Sequence, residues 1–156
     1  MDLVVHGGDL LYRSRVPDAL VEMALTPLLR VAKQGVPVYM VPGNHERSRI
    51  PLHLMTAHPL IHVFDRPRTY LQHSQAGTLA LSGFPFCRTV RSRFSELLHQ
   101  TGYTDVQSDA HALCLHQAVE GAQVGVQNYT FREGADVVRR RDIPDDFAAV
   151  LSRHIH

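Results

Sequence analysis

Cysteine is nearly missing. Only Cys87 and Cys114 occur in 156 residues, too few for a disulfide framework. A reducing compartment is the expectation, and with it a cytoplasmic location. Lysine is rarer still: of 16 basic residues, only Lys33 is lysine and the rest are arginine. Two readings of that bias stand side by side. One is the base composition of the genome, and the other is a preference for bidentate phosphate contacts. Long apolar runs are missing too. No stretch approaches the roughly 18 residues of a membrane span, and the opening Met1 to His6 has neither a basic n-region nor an apolar h-region. No membrane association is expected. Excess charge of one sign is also lacking. A net charge of +1 argues against a nucleic-acid protein held by bulk electrostatics alone, while a local basic stripe stays possible.

What is present is an ordinary globular composition, 44% hydrophobic and 20% charged, in a length that corresponds to about one domain. Leu3 to His6 is a short β-branched run that stops at Gly7-Gly8-Asp9, the pattern of a buried strand ending in a tight loop. Pro17 and Asp18 open a helical pattern in which Leu20, Met23, Ala24, Leu28 and Val31 recur, and Gly35 closes it. Pro27 inside that pattern predicts a kink or a split. Val36 to Val41 is a second strand, with Pro42-Gly43-Asn44-His45-Glu46 as its loop. Strand, helix, strand at this spacing predicts a βαβ unit with parallel strands. Further along, Pro51 to Thr56 reads as a short helix. Ile61 to Phe64, Thr69 to Leu71 and Thr78 to Leu81 read as short strands. Phe94 to His99 reads as helix, Ala112 to His116 as a buried strand, Glu120 to Gly134 as a long loop and Phe147 to Leu151 as a last strand.

Histidine is abundant, with 11 in the chain. It is both the commonest metal ligand and a common acid or base. Several apolar strands end in Asp, Asn or His, and in open α/β sheets ligands bind outside the carboxyl ends of strands. Asp9, Asn44, His45, His116, His154 and His156 then form a mixed oxygen and nitrogen set. Such a set suits Mn, Fe or Zn better than Ca. Paired ions of that kind activate water and polarise a phosphoryl group. His45, beside Asn44, is the candidate for stabilising the transition state or protonating a leaving oxygen. Each element has a plainer reading when taken alone. Gly8-Asp9 is an ordinary turn, His116 a core histidine satisfied by backbone, and His154-Ile155-His156 a solvated terminus.

Taken together and in order, Gly8-Asp9, Gly43-Asn44-His45-Glu46, His116 and His154-Ile155-His156 resemble the calcineurin-like metallophosphoesterases. The His-Gly-Gly-Asp opening, Val38 to His45 and Leu115-His116-Gln117 look most like the DNA double-strand-break-repair exonucleases of the SbcD type. The resemblance implies an α/β fold: a two-layer mixed β-sandwich flanked by helices. It further implies that Asp9 bridges two metals, that Asn44, His116 and His154 complete one site, that His156 serves the other, and that His45 lies near the leaving group. Tyr12, Arg13 and Arg47 are the substrate-binding candidates, and Arg15 and Arg49 also flank the metal loops. The implied activity is metal-dependent phosphodiester hydrolysis, with Mn first and Fe or Zn as alternatives. DNA or another phosphodiester is the expected partner. The alternatives are a small-molecule phosphatase or phosphodiesterase, and a catalytically impaired fragment acting as a binding module.

The chain departs from the family pattern in three places. The D-x-H block that supplies further ligands is not found. Arg153 stands where the family's G-H-x-H has glycine. Tyr12 stands where the SbcD type carries histidine. The expectation is therefore a single partial domain over 1–156, truncated at both ends and holding one metal well, with His6 or Glu46 as substitutes if two bind. A free strand edge predicts edge-to-edge dimers. SbcD-type enzymes engage a coiled-coil ATPase through later segments, so no such docking is expected of this chain.

Overall fold

The structure is a computed structural model that describes residues 2–11, 16–46, 58–124, 129–131 and 133–153. The short helix expected over 51–56 lies outside those residues. Strand β1 (Val4–His6), helix α1 (Asp18–Lys33) and strand β2 (Val38–Met40) form the expected unit, and β1 pairs with β2 in parallel. Strand β3 (Ile61–Val63) adds in parallel to the other side of β2, giving a first sheet of order β1-β2-β3.

The second sheet comes from β4 (Arg68–Ser74), β5 (Gly77–Gly83), β6 (Ala110–Leu115) and β11 (Ala149–Ser152), in the order β11-β6-β5-β4. Only its β4–β5 pair is antiparallel. Helix α2 (Val90–Gln100) lies between β5 and β6 in sequence. Two small pairings complete the chain. Strand β7 (Ala118–Val119) runs parallel to β10 (Val137–Val138), and β8 (Gln123–Val124) forms an antiparallel pair with β9 (Tyr129–Thr130). The segment expected to be one long loop over 120–134 therefore carries β8 and β9. Strands of two residues are too short for a period to show in the sequence.

The core explains the layering. Strand side chains alternate between faces. On β2, Val38 and Met40 pack with Val21, Leu25, Leu28 and Ala32 of α1, while Tyr39 on the opposite face packs with Leu81, Ala112 and Cys114 of the second sheet. On β6, Leu113 and Leu115 face Val90, Phe94, Leu97 and Leu98 of α2, and Ala112 and Cys114 face the first sheet. The result is helix, sheet, sheet, helix, the sandwich flanked by helices that the sequence led us to expect. Each fully buried Leu or Phe in these layers contributes roughly 1.5–3 kcal/mol of transfer free energy. Both cysteines are buried and unpaired, and burial pushes the Cys114 thiol up to about 12, so it carries no nucleophile.

Two helix expectations need correcting. Helix α1 runs through Pro27 as one element, without the split that was one of the two outcomes expected there. Pro27 and Met23, whose carbonyl loses its intrahelical donor, are both solvent-facing, so water can satisfy that oxygen. The buried stripe is Val21, Leu25, Leu28 and Ala32, whereas Leu20 and Met23 are exposed. The helix is apolar on adjacent stripes, and docking on the sheet chose between them.

His62 of β3 stacks on Tyr39 with ring centroids 4.8 Å apart and tilts against Tyr70 at 5.1 Å. Burial holds its pKa below the ordinary histidine value. The unfolded chain therefore takes up this proton at higher pH than the folded one. Stability from neutral His62 is full above about pH 6.5 and is lost as pH falls through the lowered folded value. Thermal melts should show Tm dropping as pH goes from about 7 to 5, with part of the drop removed by His62→Gln. An identical slope in that variant would count against this account.

Candidate metal centre

Parallel pairing brings the carboxyl ends of β1 and β2 side by side, and the second sheet brings the end of β6 against them. Three loops converge there. After β1 the chain turns through Gly8 (φ +91°) and Asp9 (φ +51°), both left-handed. Asp is among the residues that tolerate this region, and a non-glycine residue held there marks a conformation fixed by its surroundings. Glycine is required at position 8 for a second reason. A Cβ there would stand 2.6 Å from both His116 Nδ1 and the Val41 carbonyl oxygen. Gly43 is the matching gap on the second loop, where a Cβ would lie 2.8 Å from the Asp9 nitrogen and from His116 Cε1. Two glycines thus let three chain segments meet at van der Waals limits.

His116 is fully buried at the end of β6, and the Asp9 side chain is only 3% exposed. His116 Nε2 lies 3.2 Å from Asp9 Oδ2 and 3.2 Å from Asn44 Oδ1. Its other nitrogen, Nδ1, sits 2.5 Å from the Gly7 carbonyl oxygen. A carbonyl oxygen can only accept, so Nδ1 carries the proton and donates. In the ring protonated at Nδ1, Nε2 turns its lone pair toward two oxygens, Asp9 Oδ2 and Asn44 Oδ1. Lone pairs converging in this way repel unless a proton or a cation lies among them. Carbonyl-anchored imidazole facing oxygen donors is the tautomer and orientation that a metal-ligating histidine needs. The donors fit a divalent ion of the Mn, Fe or Zn kind. Phe86 packs edge-on against the His116 ring, with centroids 6.0 Å apart, and lines one side of it with apolar surface.

Glu46 has a role the sequence reading missed. Its Oε2 accepts from the backbone N–H of Asp9 at 2.7 Å and of Gly43 at 2.8 Å, and its Oε1 accepts from Leu11 N–H at 2.9 Å. Both carboxylate oxygens are spent on tying the first loop to the second. Glu46 is therefore a staple, and its bonds leave it poorly suited to be the substitute metal ligand expected above. A signal was available, because a glutamate three residues after a turn glycine can reach back to that residue's N–H, the geometry of a capping box.

His45 donates its backbone N–H to Asp9 Oδ1 at 3.3 Å, and the residue is half-buried. His6 accepts from Gly8 N–H through Nδ1 at 3.2 Å, and its pKa is lowered, first by burial and then by the charge of Arg153. The structure thus brings together Asp9, Asn44, His45 and His116. His154, His156, Tyr12, Arg13, Arg15, Arg47 and Arg49 lie outside the described residues. Among the described residues, no group of three or more His, Cys, Asp or Glu side chains is placed to hold a metal. The cluster seen here uses the asparagine oxygen as its third donor.

Layers of helix, sheet, sheet and helix with carboxylate, amide and imidazole groups at the strand tips make an α/β protein with a candidate metal site. The calcineurin-like phosphoesterase family matches residues 1–148, and the chain belongs to it. Members of that family hydrolyse phosphoester bonds with divalent metals. The chain is also similar to the DNA double-strand break repair protein Mre11 of Archaeoglobus fulgidus. The two are 27% identical over 76% of this chain, which spans 30% of the length of that relative. No helix among the described residues is long and apolar enough to cross a membrane.

Proposed function

We propose that this chain is the phosphodiester-hydrolysing part of a DNA-processing nuclease and that Mn is its working metal. The observation that carries the metal reading is His116. With Nδ1 committed to the Gly7 carbonyl, Nε2 presents a lone pair to the same point as Asp9 Oδ2 and Asn44 Oδ1. We assign Asp9, Asn44 and His116 as ligands, with His154 and His156 completing the set. The DNA reading is supported by the repair function in the name of the similar protein and by the arginines that follow both site loops in sequence. A divalent metal held by these residues would activate water and polarise the phosphoryl group.

The remaining work falls to the chain itself. The His45 backbone N–H holds the Asp9 carboxylate, and we assign the His45 ring to protonating the departing oxygen. Tyr12, Arg13 and Arg47 are assigned to substrate phosphates.

The test is Mn-dependent hydrolysis of bis-p-nitrophenyl phosphate and of linear duplex DNA. Cleavage of the small ester with no action on DNA would favour the small-molecule reading. His45→Ala should lower kcat about 10²–10⁴-fold with Mn affinity preserved. If calorimetry instead shows that Mn binding is lost, His45 ligates and the division between it and Asn44 is wrong.

A further inference from the structure

Beside the metal cluster lies an open groove of about 460 Å³ between the carboxyl ends of β1 and β11, with Val5, His6 and Gly7 on one wall and Val150, Leu151 and Arg153 on the other. Most of its lining is apolar, and among the described residues that line it the one permanent charge is Arg153. The residue is anchored by its N–H to the Leu115 carbonyl at 3.3 Å, directly before His116. From there its side chain crosses the face of Gly7. A Cβ on Gly7 would lie 2.6 Å from Arg153 Cβ and 3.2 Å from its Cδ. Gly7 does not have a left-handed φ, so the need for glycine there comes from the arginine alone. The stem is thereby laid along the loop that carries Asp9. Among the described residues, no carboxylate pairs with Arg153, although it is exposed.

We infer that Arg153 is a substrate-positioning residue that holds a phosphate group of the substrate through its guanidinium, at the mouth of this groove. The inference deepens the phosphoesterase reading and rests on it, but it does not depend on the substrate being DNA. A guanidinium presents a rigid fork of donors that matches two phosphate oxygens, and its charge is permanent. The resemblance drawn from the sequence sets Arg153 against the glycine of G-H-x-H, a residue with no side chain to offer a phosphate. The space it needs comes from the facing Gly7.

The first measurement is titration calorimetry of the full chain with inorganic phosphate, in chelator, so that no metal contributes. Arg153→Met keeps the stem over Gly7 and removes the charge. It should weaken phosphate binding roughly tenfold, the usual scale of one charged hydrogen-bonded contact. Arg153→Lys should fall between, because a point charge replaces the fork. Gly7→Ala should weaken phosphate as much as Arg153→Met, by displacing the stem, and should have no further effect in an Arg153→Gly background. In Mn-loaded protein, KM for bis-p-nitrophenyl phosphate should rise in Arg153→Met with kcat nearly unchanged. Phosphate affinity unchanged in both Arg153→Met and Gly7→Ala, with melts showing folded protein, overturns the inference. If Mn-loaded chain shows no turnover at all, the nuclease reading fails, while the titration in chelator still decides the role of Arg153.

Discussion

Asp9→Asn is expected to abolish the thermal stabilisation that added Mn should give the chain. A ligand at 100 times its dissociation constant stabilises by about 2.7 kcal/mol, which in a chain of this size is a Tm rise of roughly 5–10 °C. Asp9 is the one charged donor of the described cluster, and its side chain is 3% exposed. Asparagine is nearly isosteric and can still accept the His45 N–H through its oxygen. The change therefore removes charge with little change in shape. A unit charge a few ångströms from a divalent ion is worth several kcal/mol even at an effective dielectric of about 20. Mn affinity should fall on the order of 100-fold or more. The check is a pair of melts, with Mn and with chelator, on both proteins. A full Mn-induced shift in the Asp9→Asn protein would mean that the metal sits elsewhere.

The largest loss of stability is expected from Glu46→Ala. Glu46 is 5% exposed and accepts three backbone N–H bonds from two loops distant in sequence. Its removal leaves three donors to be met by whatever water can enter, at about 1–3 kcal/mol for each one left unmet. A total loss of about 3–5 kcal/mol, or a Tm drop on the order of 10 °C, is expected. Glu46→Gln should cost less, since one amide oxygen can still serve Asp9 and Gly43 while the NH₂ faces the Leu11 N–H. Because the staple sets the distance between Asp9 and Asn44, Mn affinity should fall along with stability. Urea unfolding in chelator separates the two effects. A Glu46→Ala protein as stable as its parent would show that the loops are held by their packing on His116 instead.

The two kinds of change should also differ in chelator. Asp9→Asn acts mainly on the metal-bound state, so its melts should diverge from those of the parent chiefly when Mn is added. Glu46→Ala acts on the loops themselves and should lower Tm whether or not metal is present.

Much of this arrangement is legible from residue order alone. The apolar runs Leu3 to His6, Val36 to Val41 and Ala112 to His116 are strands, because β-branched runs bounded by glycine and proline have few other solutions. Their polar tips are read correctly as neighbours because parallel strands all point their carboxyl ends one way. The two readings offered for His116, core histidine held by backbone or ligand, turn out to describe its two nitrogens separately. Nδ1 is satisfied by Gly7, and Nε2 faces Asp9 and Asn44.

Local pattern determined which segments are strand or helix, the parallel βαβ start, and the candidate donors Asp9, Asn44 and His116. Each of these depends on periodicity or on residues close in sequence. Tertiary structure alone decided which stripe of α1 is buried, that Glu46 is a staple, and that Gly7 makes room for Arg153. In those cases the deciding contact joins residues 35 or more positions apart, or a helix to a sheet. Two adjacent apolar stripes, a carboxylate with several possible partners and a glycine with an ordinary φ carry no local mark of the choice. Only the packing of one layer on another removes the alternatives.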